Sequence, residues 1–423
     1  MALIALSFGT MIPANSQAYP KVPPGILEFT TITITNNQPV PTPAPFQQML
    51  VMDMSAFCTD YTNSHLQNVE FFSQDGSIIP SWLESGASNS STATTYWLKL
   101  ADGIPADSAV TVYMGCSTSE TNFFNTQTTG EAPELSVIYG EYDDGSNVFS
   151  AYYDMGSNPV VSVNVPQGGV YSVESSIGPL GSTQPILQWT GYSGGNELAL
   201  FPSTPLPPNL AITAWVKTNS QPFDIGLGVT ASSSQYNGYF VDPGEGYNAN
   251  FAIWSSSSEP SNNGWAGILQ SVPYSMSPDS WYTLELQLLG NTLTGYVEPF
   301  QNTLDASSSS ATVSAGISQS QFDTVMLAPY ANSASQTTEW ALVVARALPP
   351  NGIMPTASGS FVASPTSQSQ TTSFSNTHTT TTPLAAPFTA LPVNQLALSF
   401  AIPIGLATVF VIAGKVAERR KGP

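Results

Sequence analysis

The chain has 423 residues, only 9% of them charged, and carries a formal net charge of −20 at pH 7. Such an acidic surface repels phosphate backbones, which excludes nucleic acid as a partner. The two cysteines and two histidines form neither a CxxC nor a Cys/His cluster, which excludes a zinc site of ordinary spacing. Few charges also suit an acidic habitat, where carboxylates are protonated and ion pairs stop contributing.

Taken in chain order, residues 1–18 read as a secretory signal: Leu3 to Ile12 is mostly apolar and Asn15-Ser16-Gln17-Ala18 supplies a small-residue cleavage site, although a basic n-region is missing. From Ile26 onward apolar and polar residues alternate with period 2. Strands are expected at Thr30–Thr35, Phe46–Met54, Asn68–Phe72, Thr95–Leu100 and Ala109–Met114, with turns at Gln74-Asp75-Gly76 and Ala101-Asp102-Gly103. Short strands at this spacing predict a β-sandwich over 19–155. Cys58 and Cys116 fall within it, and an oxidising exterior favours a disulfide over two buried thiols. Asn89-Ser90-Ser91 is a glycosylation sequon in a Ser-rich loop.

A second set of strands is expected over 156–350: Ala211–Lys217, Ile225–Val229, Gly238–Val241, Phe251–Trp254, Trp281–Leu289, Leu293–Val297, Thr324–Leu327 and Trp340–Arg346. Gly290-Asn291 marks a hairpin between two of them. Residues 351–395 are rich in Ser, Thr and Pro and hold no charge, which predicts a disordered, extended stalk. Leu396 to Gly414 is uncharged and mostly apolar, and as a helix it would span about 28 Å, enough for one membrane crossing. Lys415, Arg419, Arg420 and Lys421 follow in the tail, 415–423, so the tail is expected inside and everything before Leu396 outside the cell membrane.

The predicted fold class is therefore all-β, with two tandem jelly-roll-like sandwiches, a stalk and one C-terminal transmembrane helix. For binding, the densest stretch runs from Asp242 to Trp265. Tyr247, Trp254 and Trp265 offer flat rings for sugar faces, while Asp242, Glu245, Asn250 and Asn263 offer hydrogen bonds to hydroxyls. The bland alternative makes Trp254 a core residue and the rest turn chemistry. Asp143, Asp144 and Asn147 form an acidic cluster that would suit Ca²⁺, although no Ca²⁺-loop spacing is met. No cofactor other than Ca²⁺ is expected. Paired glycosidase carboxylates are missing, since Glu285 has only Thr283 and Gln287 as alternate neighbours, and GxSxG, HExxH and the P-loop are absent. The chain is expected not to be an enzyme.

Asn68 to Phe72, Ile79 to Ser85, Tyr96 to Lys99, Val110 to Gly115 and Gly130 to Phe149 together resemble a family of secreted and surface-anchored archaeal proteins that begin with a β-rich domain of unknown function. Ile212 to Lys217, Trp281 to Leu284 running into Gly290-Asn291, and Trp340 to Arg346 followed by Pro349 to Pro355 resemble the concanavalin A-like lectin and glucanase sandwich that accompanies it. The resemblance implies a two-layer sandwich that recognises carbohydrate or another surface component. At position 116 the family usually carries an aromatic, so cysteine at both 58 and 116 strengthens the disulfide reading. The expected function is non-catalytic recognition of a glycan or surface protein in adhesion or envelope organisation; the alternatives are a self-assembling envelope subunit and a polysaccharide hydrolase.

Overall fold

The computed structural model describes residues 19–360, apart from 59–60, 62, 134, 136–140, 157–160, 165–168, 192–196, 201–204, 220–223, 233–234, 244–249, 257–264, 307–308, 319–320 and 331–334, and describes 373–376. Seven strands come first: β1 Glu28–Asn36, β2 Phe46–Met52, β3 Val69–Phe72, β4 Ser81–Ser85, β5 Thr94–Leu100, β6 Ser108–Cys116 and β7 Thr129–Glu131. One turn of helix, α1 (Gly145–Val148), leads to β8 Ala151–Tyr153, β9 Val161–Asn164, β10 Gly169–Ile177, β11 Thr183–Gly191 and β12 Glu197–Leu200. Then follow β13 Leu210–Thr218, β14 Asp224–Ser232, β15 Gln235–Pro243, β16 Asn250–Ser256, β17 Trp265–Pro273, β18 Trp281–Leu289, β19 Thr292–Pro299, β20 Ala311–Gly316, β21 Thr324–Tyr330 and β22 Gln336–Ala347. Two short strands, β23 Thr356–Ser360 and β24 Ser373–Asn376, complete the series.

Four sheets result. The first sandwich pairs a five-stranded sheet, ordered β24-β23-β1-β6-β3, with a four-stranded one, ordered β2-β5-β4-β7. The second pairs a sheet ordered β10-β11-β22-β13-β18-β19-β20, with β8 added on β22, and a seven-stranded sheet ordered β17-β16-β15-β14-β21-β12-β9. Alternation explains the layers: in β1, Ile32 and Ile34 are fully buried in the first core while Thr31, Thr33 and Thr35 point outward and stay half-exposed. The β18–β19 hairpin turns at Gly290-Asn291, where Gly290 takes a φ of 58° that glycine adopts without strain. Cys58 and Cys116 form a disulfide with their Cα atoms 6.5 Å apart, and closing a loop of this length stabilises by about 4 kcal/mol in the chain-entropy view.

The domain order differs from a simple tandem. Thr356–Ser360, which falls in the expected stalk, pairs antiparallel with β1, and Ala357 inserts into the first core at 1% exposure. The second sandwich is thus inserted within the first, whose five-stranded sheet is completed only after residue 355. Composition concealed the strand because the small residues Ala357 and Gly359, not large apolar ones, occupy its inward-facing positions. Ser373–Asn376 extends the same sheet. In the other direction, β8 lies within the stretch expected for the first domain and pairs with β22 of the second sandwich. The described residues all fall in one unit, Met1–Thr380. Residues 1–18, the rest of the expected stalk, Leu396 to Gly414 and the tail lie outside the described residues. Among the described residues no helix is long and apolar enough to cross a membrane.

Where the sandwiches meet, Trp82, Trp97, Phe149, Trp215 and Leu342 form a shared apolar cluster. Buried polar groups set its geometry. Gln47 accepts a hydrogen bond from the Ala347 amide at 2.8 Å and Gln48 donates to the Pro355 carbonyl at 3.1 Å, fixing the chain as it leaves β22. Glu84 of the first sandwich accepts from the Leu304 amide and, at 3.1 Å, from the Trp97 indole. Glu285 of the second accepts from the Ala306 amide at 3.1 Å and pairs with Arg346 at 3.1 Å. Arg346 lies over the Trp97 ring, 5.1 Å from its centroid.

Two outcomes follow from this arrangement. A chain ending at Pro355 should melt below one ending at Thr380, with faster amide exchange in β1; equal melting would contradict the insertion. Arg346→Met, which leaves Glu285 buried without its cation, should cost roughly 3–5 kcal/mol in chemical denaturation.

Candidate functional site

The face of the seven-stranded sheet turned away from the second core holds the described part of the predicted binding stretch, most of it buried. Along β14, β15, β16 and β21, the residues Ile225, Leu227, Val229, Val241, Phe251, Ile253, Val325 and Leu327 point into the second core. Their alternates point the other way. Met326, Gly228, Phe240 and Trp254 form one row across four strands, each paired with the next in the ladder. Phe240, Met326 and Ala328 make a small apolar nucleus against which the half-buried Trp254 packs. Gly228 is required here because a Cβ would collide with the Phe240 ring.

Asp242 and Ala252 are paired beside this row, Ala252 lying between Asn250 and Trp254 on the same face of β16. Asp242 is fully buried, and its Oδ1 accepts from the Ile225 amide at 2.9 Å, which anchors the end of β15 to β14. The fold thus gathers Asp242, Asn250 and Trp254 on one face. Trp265 opens β17 opposite Ser256, so its backbone joins the same strand group. Glu245, Tyr247 and Asn263 lie outside the described residues. Trp254 is packed on Phe240 rather than standing free, so the bland expectation for that ring holds in part. Phe240, Gly228 and Met326 escaped sequence reading because an outward row is recognisable only once the strand register is known.

The Ca²⁺ expectation meets different geometry. Asp143 Oδ1 accepts from the Trp82 indole at 3.1 Å and the Gly145 amide at 2.9 Å, and its Oδ2 accepts from the Tyr152 hydroxyl at 2.6 Å. Asn147 instead donates to the Thr126 carbonyl. Among the described residues, Asp143 and Asp144 belong to no group of three His, Cys, Asp or Glu side chains with converging atoms. Asp143 is thus an anchor for the aromatic junction. Asp144 is buried beside Gly130, and among the described residues no other side chain donates to its carboxylate. The sequon residue Asn89 is exposed.

Glu285 and Glu84 are both fully buried and occupied by backbone amides. Burial raises Glu84 from its ordinary 4.5 to about 7, Asp143 to about 7, and Asp144, with Asp143 beside it, to about 9. Glu285 is also raised by burial, with Arg346 opposing the shift. Each acid holds its proton more tightly folded than unfolded. The stability this contributes is therefore fully present below the unfolded pKa near 4, and is lost as pH rises through about 7 for Glu84 and Asp143 and about 9 for Asp144. The denaturant midpoint should fall between pH 5 and pH 8.5, and Asp144→Asn should stabilise the chain at pH 8 by more than about 1.4 kcal/mol, one pKa unit, while changing little at pH 4. A midpoint that climbs with pH would contradict this assignment.

No family model matches the chain. Over 165 residues it is 40% identical to "Uncharacterized protein 562" of Sulfolobus islandicus rod-shaped virus 1, a match covering 38% of this chain and 28% of that protein. The chain thus spans less than a third of the length of this relative. Among solved structures it is similar to the carbohydrate binding module CBM66 from Bacillus subtilis, at 14% identity over 44% of this chain and 98% of that one, with a TM-score of 0.28. It is similar also to the VIP36 exoplasmic/lumenal domain in its Ca²⁺/Man3GlcNAc-bound form, at 10% identity over 47% and 89%, with a TM-score of 0.33. The cellulose induced protein Cip1 matches at 14% identity over 46% and 95%, with a TM-score of 0.32. At these scores no function passes from the solved structures to this chain.

Proposed function

We propose that the chain is a non-catalytic recognition protein that binds glycan, or another component of a cell or envelope surface, on the outer face of its seven-stranded sheet. The observation that carries this reading is that Asn250 and Trp254, two positions either side of Ala252 on one face of β16, keep part of their side chains exposed, while the fully buried Asp242 braces the neighbouring strand. A partly exposed indole supplies apolar contact to a sugar face, and the Asn250 amide reads hydroxyls. In this reading Glu245, Tyr247, Asn263 and Trp265 also contribute to binding, and Leu396 to Gly414 anchors the protein in the membrane with both sandwiches outside. The Ser/Thr-rich residues after β24 serve as a spacer.

A second reading, a subunit that tiles with copies of itself, draws support from β10. Among the described residues this strand ends its sheet and exposes Val170 at 67%, Val173 at 49% and Ile177 at 55%. Glycan-array binding of the full chain separates the two. Recognition predicts specific hits that weaken about tenfold or more, a loss of ~1.4 kcal/mol, in Trp265→Ala and Asn250→Ala. An array without hits, or hits unchanged in both variants, would remove the site.

A further inference from the structure

The structure supplies a ligand that sequence spacing could not place beside the two cysteines. Glu28 at the start of β1 stands directly opposite Cys116 at the end of β6. Cys58, delivered by the turn that follows the short helix Met54–Ala56, closes on both. One carboxylate oxygen and the two sulfurs all lie within 4.8 Å of one another. Cys58 and Cys116 are 3% and 0% exposed within the first core, among Phe57, Leu66, Val69 and Phe124, while Glu28 is half-buried at its rim.

We propose that the dithiol form of this chain binds one thiophilic divalent cation, of the zinc(II) class, through Cys58, Cys116 and Glu28, with water as the fourth ligand. Tetrahedral coordination at about 2.3 Å from each sulfur sets the sulfurs about 3.8 Å apart. Their Cα separation of 6.5 Å, at the wide end of what a disulfide spans, accommodates that opening by side-chain rotation. Two thiolates and one carboxylate in an apolar surround repel one another unless a cation joins them, and two soft sulfurs disfavour Ca²⁺ and Mg²⁺.

Binding converts two thiols to thiolates and releases two protons. Oxidation by a small-molecule disulfide removes two electrons from the thiolate pair, forms the Cys58–Cys116 bond, yields two small-molecule thiols on uptake of two protons, and ejects the cation. The metal thus joins β1, β6 and the turn at Cys58 under reducing conditions, and the disulfide joins β6 and that turn under oxidising ones.

The test uses the full chain, reduced with a phosphine that is consumed as its oxide, stripped of metal and titrated with cobalt(II). The expected result is a thiolate-to-cobalt charge-transfer band with tetrahedral d–d bands, saturating at one cation per chain, displaced by zinc(II), and missing from the oxidised chain. Cys116→Ser should abolish it. Because a cysteine variant can also disturb folding, Glu28→Gln is the deciding variant: with an unchanged circular dichroism spectrum, it should weaken cobalt binding about tenfold or more. No charge-transfer band, saturation at one cation per two chains, or unchanged affinity in Glu28→Gln would overturn the proposal.

Discussion

The grip that Glu84 and Glu285 exert on one short loop from opposite sides is the constraint on which the rest of the structure depends. Their carboxylates, one from each sandwich, take the amides of Leu304 and Ala306, two residues apart in the chain. Arg346 compensates Glu285 while its guanidinium lies over Trp97, whose indole donates to Glu84. A buried ion pair roughly breaks even against its desolvation. The net attraction therefore comes from the aromatic cluster around it, since each large aromatic removes 150–250 Å² from water at about 25 cal/mol per Å². The carboxylates contribute position: a loop held by two directed hydrogen bonds admits one docking of the sandwiches.

That docking determines which surfaces are available for function. Trp340, Val343 and Ala345 of β22 face the second core, and Ala341, Leu342 and Val344 face the junction. Its sheet is therefore covered on both faces at this strand, which explains a continuous apolar run where a half-exposed strand would alternate. Among the described residues the seven-stranded sheet contributes none to the junction cluster, and Asn250, Trp254 and the fully buried Asp242 lie on its face turned away from the second core. Insertion of the second sandwich between β7 and β23 supports the same division, because two chain crossings tie the domains together.

Much of this was legible in the sequence where side-chain chemistry and period agreed. Alternation in Thr30–Thr35 and Leu284–Leu288, and the glycine turn between β18 and β19, placed those strands because large apolar residues fell on one face. β23 was unreadable by the same rule, since Ala357 buries a strand without a hydrophobic signature. The disulfide was expected from two cysteines in a chain read as exported, but Glu28 beside them depends on the β1–β6 register. Asp143 looked like a cation ligand until the fold brought Trp82 and Tyr152 onto its oxygens. Glu84 and Glu285 carried no motif, and their partners lie 220 and 21 residues away along the chain.

The central claim is that both sandwiches fold as one nested unit, and native-state hydrogen exchange in rising denaturant addresses it directly. The account predicts that the slowest amides of β1 and β6 in the first sandwich and of β13 and β22 in the second merge into one opening with a common free energy and a common denaturant slope. Two separate isotherms, with one sandwich opening while the other stays protected, would contradict it.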